Sequence, residues 1–437
     1  MKRTQAEEFE MKRRTFCSIL LGVALLLCGC SSAPSGETSG ESVPAAGTPS
    51  SGSETSAENP AAPEALTLID PAGLTTEKGY YQLELTGTNV QNILYTDFET
   101  GSRVFLCSRP ECTHRDESCT SVLTGGGQLF PLNGKIGIFQ RGGTSPELPD
   151  EERKCRVYQM EADGSQRKEL CSLAPGITPF SGIAADGEFL YLIAIIVPET
   201  DSGNEEYQLM RVSLQDGTAT VLKAFDGNLP YLSAAFDDKL LLEYSTEKDG
   251  GYVYQCSVYS LATNEETFFY ENAVQGFVRD NKVYTIDREA KVVREASVDG
   301  TTREWAIDLT IPENAYVDNG GEEFVPSGYI AFTVFVDGAG PRYLLNTQTG
   351  ELTKSTLNYT WYDGSERPIY VLTQAGDRLL VINHSELANM QYFEENGELS
   401  MRESIRSTYA FLSVEDYLNN TPNYTPVTDS LSAFFAK

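Results

Sequence analysis

Two short patterns alternate along this chain, seven times each, and any fold proposed for it must accommodate both. The first is a turn that runs into an apolar or alternating strand. It begins at Gly79, Gly134, Gly187, Asp238, Asn281, Gly328 and Asp377, as in Asp238-Lys239-Leu240-Leu241-Leu242. Successive copies lie 55, 53, 51, 43, 47 and 49 residues apart. The second pattern falls once after each copy of the first: a strand, a polar turn and a return strand. Val157-Tyr158-Gln159-Met160 precedes Asp163-Gly164, Met210-Arg211-Val212-Ser213 precedes Asp216-Gly217, and Tyr409-Ala410-Phe411-Leu412-Ser413 is the last copy. Asp-Gly between alternating strands is a hairpin signal, because glycine takes positive φ without steric cost. Two markers alternating at a period near 50 predict four-stranded units. One such unit cannot bury both of its faces, so the units must close into a ring.

The fold class is therefore all-β, a β-propeller counted at seven blades. Six or eight stay open at this point because the first and last blades are the hardest to delimit. The even spacing argues against an array of sandwiches. Leu66-Thr67-Leu68-Ile69 is expected to supply a strand that completes the final blade and fastens the ring. Helix is expected only in residues 386–395 and 429–436.

The chain has 437 residues, 40% of them hydrophobic and 10% aromatic, which is ample for a large core. It opens on export signals. Lys12, Arg13 and Arg14 precede an apolar run over residues 16–27 that ends in Leu27-Cys28-Gly29-Cys30. A basic segment before a short apolar stretch reads as a signal peptide over 1–29, too short for a comfortable membrane span. Met11 is a candidate start, since residues 1–10 are acidic and unlike such a basic segment. The ending resembles the bacterial lipoprotein box, which implies that Cys30 becomes the new N-terminus and carries a lipid on its thiol. The expected location is the extracytoplasmic face of the cell membrane. Residues 30–65 are almost all Ser, Thr, Gly, Pro, Ala and Glu. Such a composition buries no core, so it reads as a tether spanning on the order of 30 Å, with the propeller over 66–437.

Formal charge is −30. Without residues 1–29 the chain holds 28 basic and 60 acidic residues, a net of −32. Such a surface repels phosphate backbones and excludes nucleic acid as a partner. Membrane association is then expected through the lipid alone.

Six cysteines besides Cys30 remain after export, in a compartment that permits disulfides. Cys155 and Cys171 flank the Asp163-Gly164 turn almost symmetrically and are expected to face each other across one hairpin. Cys107-Ser108-Arg109-Pro110-Glu111-Cys112-Thr113-His114-Arg115-Asp116-Glu117-Ser118-Cys119 concentrates three cysteines and one histidine. Two chemistries fit this segment. One is a disulfide-pinned loop whose odd cysteine pairs elsewhere, Cys256 being a candidate. The other is a soft-metal site for zinc. The disulfide is preferred, because C-x4-C-x-H-x4-C is not an established zinc spacing. One intervening residue also makes Cys112 and His114 awkward chelate partners unless the loop is tight.

The lipoprotein box, the tether, the segment 106–114 and the late Ser413-Val414-Glu415-Asp416-Tyr417 together resemble uncharacterised propeller lipoproteins of clostridia-type Gram-positive bacteria. The blade pattern itself is similar to TolB-like propellers. The resemblance implies a fold and a location, but no activity and no catalytic residues.

No catalytic constellation emerges from the residues. His114 and His384 are the only histidines, and no G-x-S-x-G elbow, phosphate loop or H-E-x-x-H appears. His384 reads as a strand-end surface residue. Acid pairs such as Asp237-Asp238 and Glu265-Glu266 are too common to mark a site, and calcium on turn carboxylates is the other cofactor option. Tyr80-Tyr81, Tyr359, Trp361 and Tyr362 are expected to fill blade interfaces. The expected role is a binding module for a peptide, glycan or envelope protein. The alternative is a carbohydrate-active hydrolase or lyase with acids at the ring axis.

Overall fold

The computed structural model describes residues 64–429, except 88–89, 146, 197–205, 249–250, 313, 319–323, 337–339 and 396–397. The expected signal peptide, Cys30, most of the tether and residues 430–436 lie outside the described residues.

The described strands form seven mainly antiparallel sheets, the blades of a propeller. Blade four shows the plan: Tyr231–Phe236, Lys239–Lys248, Gly251–Ser260 and Glu265–Asn272 lie side by side in chain order. The first sequence pattern is in every case the second strand of a blade, and the second pattern is the third strand. These two are covered on both faces by neighbouring blades, so they read as apolar runs. Leu240, Leu241 and Leu242 are fully buried, as are Leu190 and the residues from Leu192 to Ala194. Every described residue of outermost strands such as Ala219–Phe225 and Glu265–Asn272 is half-buried or exposed. Helix is confined to Asp150–Arg153 and Val414–Leu418 among the described residues. Ser413 caps the second of these by accepting a hydrogen bond from the Asp416 amide.

Two expectations are corrected. Residues 386–395 are not helix; they continue the strand Arg378–Glu395, which pairs through Glu395↔Glu398 with Glu398–Ser413. Cross-strand pairing to a 16-residue partner overrides local helix preference there. Nor does the Leu66–Ile69 segment complete the final blade. Thr67–Leu68 pairs with Ala184 and Ala185 on the inner edge of blade three, with Leu66 and Ile69 buried on either side. Blade seven draws its fourth strand, Thr425–Pro426, from its own sequence. The ring is fastened instead by Thr428–Asp429, which runs parallel to Ser102 and Arg103 on the outer strand of blade one.

Near the axis the first strands of blades three and four touch closely. The Leu232 amide donates to Ser181 Oγ at 3.1 Å, and a Cβ on Gly182 would lie 2.3 Å from Leu232 O and 2.9 Å from Leu68 Cδ1. Glycine is required here by the approach of a neighbouring backbone. Gly182→Ala is expected to destabilise the protein by about 1–3 kcal/mol through overpacking, read as a lowered urea midpoint with unchanged slope.

Alternation of strand direction gives the ring two unlike faces. On one emerge the turns between first and second and between third and fourth strands. Most are tight: Asn133-Gly134, with φ of 50° and 76°, is a hairpin turn that needs left-handed backbone at both positions. On the other emerge the turns between second and third strands and the passages to the next blade, including 141–155 and 356–369. Thr67 pairs with Ala185 at the end of the first strand of blade three, so the chain enters the ring at the tight-turn face.

Candidate functional site

The outer strand of blade one is interrupted. Ser102–Phe105 pairs with Leu94–Thr96, and Val122–Thr124 pairs with Val90–Asn92 on the same strand. Between the two halves the backbone still bonds to that strand, through Leu106 N–H to Ile93 O and Ile93 N–H to Ser121 O. Residues 107–120 are thus a loop extruded from the middle of a blade edge, and that loop carries the Cys/His segment.

Within it the structure brings together Cys107, Cys112, His114 and Cys119. One ligand atom from each lies within 4.8 Å of all the others. His114 makes this reachable: it adopts left-handed backbone, φ 56°, which folds the single residue between it and Cys112 into a tight turn. Its ring stacks on Phe105 at 4.5 Å, and its Nδ1 lies 3.4 Å from Cys119 Sγ. Asn92 holds the base, donating through Nδ2 to His114 O at 3.1 Å and to Ser121 Oγ at 3.0 Å. Ser121 Oγ in turn lies 3.1 Å from Cys119 Sγ. From blade two, the Arg167 guanidinium donates to Thr120 O and Val122 O. Arg109 reaches Cys112 Sγ at 3.4 Å and also donates to Ser118 O.

The electrostatics differ across the four donors. Burial raises the Cys107 thiol, but the Arg109 amide and the neighbouring Cys119, Arg109 and Cys112 side chains outweigh it, and the net shift is downward. Cys119 is pushed up to about 11, by burial first and against the pull of Ser121. His114 is lowered by burial and by the Arg109 charge, so at neutral pH its imidazole is neutral and able to donate a lone pair.

No disulfide joins any two of the six cysteines in this structure, and the expected Cys155–Cys171 pairing is not supported by the strand register. A register shift between Glu169 and Cys171 places Cys171 opposite Val157, while Leu173 N–H bonds to Cys155 O. Cys155 and Cys171 are therefore not a cross-strand pair. Both lie in the hydrophobic core, where burial raises their thiols. Cys256 is fully buried in another cluster with Leu241, Tyr254 and Val283, away from the loop it was expected to meet.

Elsewhere the structure sorts residues that looked alike in sequence. Glu266 is buried and accepts hydrogen bonds from Tyr244 Oη at 2.6 Å, Ser257 Oγ and Lys223. It pins blade three to blade four, a role its pairing with Glu265 in sequence did not reveal. Tyr80, Tyr81 and Tyr359 are buried as expected, and His384 is exposed.

No protein-family model matches the chain, and no curated protein does. Similar solved structures include the acylaminoacyl peptidase of Pyrococcus horikoshii, 12% identical, with a TM-score of 0.46 over 84% of this chain and 53% of that one. The β-propeller domain of the Trilobed protease from Pyrococcus furiosus is 9% identical, with a TM-score of 0.41 over 83% and 98%. TolB from Acinetobacter baumannii is 13% identical, with a TM-score of 0.33 over 79% and 77%. The chain spans about half the length of the peptidases it matches. The propeller architecture itself rests on the seven blades described above.

Proposed function

We propose that this protein is a lipid-anchored, extracytoplasmic binding module that presents the long-loop face of its propeller to a peptide, glycan or envelope protein. The difference between the two faces carries this reading. Tyr231, Tyr252 and Tyr316 are 40%, 55% and 51% exposed, and each lies at the start of a strand on the long-loop face. Leu387, 39% exposed, lies on the strand that extends beyond blade seven on the same side. Phe180 packs at 5.3 Å from Tyr231 and 6.3 Å from Tyr207, an aromatic run between blades three and four. Exposed tyrosine offers a rigid apolar body with a polar tip, which suits it to stacking on sugar or peptide. The lipoprotein box at Cys30 supports the anchor.

Two measurements test the reading on the full chain. Cys30→Ala is expected to abolish incorporation of labelled palmitate and to release the protein from membranes. On a glycan and peptide array, a Tyr231→Ala/Tyr252→Ala/Tyr316→Ala variant is expected to bind about tenfold more weakly or worse, since truncating one interface aromatic costs on the order of 1–2 kcal/mol. Identical array patterns for the two proteins, or hydrolysis of an arrayed glycan, would overturn the proposal.

A further inference from the structure

The loop over 107–120 poses a stability problem. Apart from its cysteines and Pro110 it contains only Ser, Arg, Glu, Thr, His and Asp, so it has nothing with which to build a core. Yet it is folded tightly enough to gather four soft or borderline donors at one point, with a buried asparagine and an arginine from the next blade holding its base. Small segments without a core are held by a cross-link or a metal.

We infer that Cys107, Cys112, His114 and Cys119 form a closed tetrahedral zinc site that staples this loop to the edge of blade one. With zinc–sulfur bonds of about 2.3 Å and zinc–nitrogen bonds of about 2.0 Å, the edges of such a tetrahedron are roughly 3.5–3.8 Å. The separation of His114 Nδ1 from Cys119 Sγ, 3.4 Å, matches such an edge, and all four donors lie within 4.8 Å of one another. A single disulfide would use two of these groups and leave no reason for the other two to converge. Three sulfurs and one imidazole select zinc over calcium or magnesium, which take oxygen.

The surroundings fit the charge of the filled site. Three thiolates, a neutral imidazole and a divalent ion sum to one negative charge. Arg109 faces it from Cys112 Sγ, and the Ser121 hydroxyl lies against Cys119 Sγ, itself oriented by Asn92. Such partners orient ligating sulfurs and stabilise their ionised form. With four protein donors no position remains for water, so the site is structural and not catalytic. Its effect is to return the chain to register at Ser121, so that Val122–Thr124 can finish the outer strand.

The test uses the full chain purified in detergent, loaded with zinc and dialysed. About one zinc per chain is expected by elemental analysis, with the loop thiols unreactive until a chelator is added. Cobalt(II) in place of zinc is expected to give the intense visible bands of a tetrahedral thiolate site. Cys112→Ser and His114→Ala should lose most of the metal. His114→Cys, which restores four donors, should retain it with altered cobalt bands and so guards against a simple folding failure. Protein that takes up no zinc from excess, or an intact mass showing two loop cysteines oxidised to a disulfide in the zinc-loaded sample, would overturn the inference.

Discussion

Arg103→Met is expected to lower the stability of the ring by about 3 kcal/mol, the low end of what removing one partner from a buried ion pair costs. Arg103 sits on the outer strand of blade one with its side chain only 1% exposed. Its guanidinium pairs with Glu84 at 2.9 Å within the blade and with Asp429 at 3.1 Å on the closing segment. It also donates to Gln82 and lies 4.2 Å over the ring of Tyr409, a residue of blade seven. One side chain thus touches the first blade, the last blade and the C-terminal strap. Methionine fills comparable space but takes the Arg103 cation away from two carboxylates that are 15% and 19% exposed. That residual exposure is why the smaller figure is chosen. The measurement is the urea midpoint at neutral pH. Arg103→Met combined with Glu84→Gln and Asp429→Asn should recover part of the loss, because the penalty resides in the stranded charges. A triple variant as unstable as the single one would mean that lost packing, and not charge, dominates.

The legibility of this fold in its sequence followed burial. Second and third strands were visible because each is covered on both sides, which forces runs such as Leu379, Leu380 and Val381. First strands were not located, and outer strands were placed only as the return strand after each polar turn. The first strand of blade six is only Tyr316–Asp318, and outer strands keep just one face dry. The Cys/His segment was legible as composition and not as geometry, because convergence depends on left-handed backbone at His114 and on a blade edge that breaks and resumes. Neither has a sequence marker. Glu266 and Arg103 were hidden for a related reason: a buried charge looks like a surface charge until its partners, 43 and 326 residues away for Lys223 and Asp429, are brought beside it.

Phe411→Ala is expected to cost about 3–5 kcal/mol, as large-to-small changes in a fully packed core do. It also probes whether the junction of blades one and seven is the ring's weakest joint. Among the described residues, backbone pairing between these blades is confined to the strap at Thr428–Asp429, and side chains supply the other contacts named below. Phe411 is 2% exposed and meets Phe98 of blade one edge-on at 6.2 Å. Arg378 stacks 4.6 Å over the Phe411 ring while donating to Phe98 O, and Thr75 and Thr373 hydroxyls meet at 2.6 Å nearby. Removing the ring would take one face from Arg378 and one from Phe98 together. Phe332→Ala makes the same volume change in a fully buried site shared by blades five and six, where the chain runs continuously from one blade to the next. Equal losses of stability are expected, with different local consequences. Amide exchange should rise in blades one and seven for Phe411→Ala, and in blades five and six for Phe332→Ala. Uniform exchange across all seven blades in both variants would mean that the ring opens as one unit and that its seam is no weaker than its other joints.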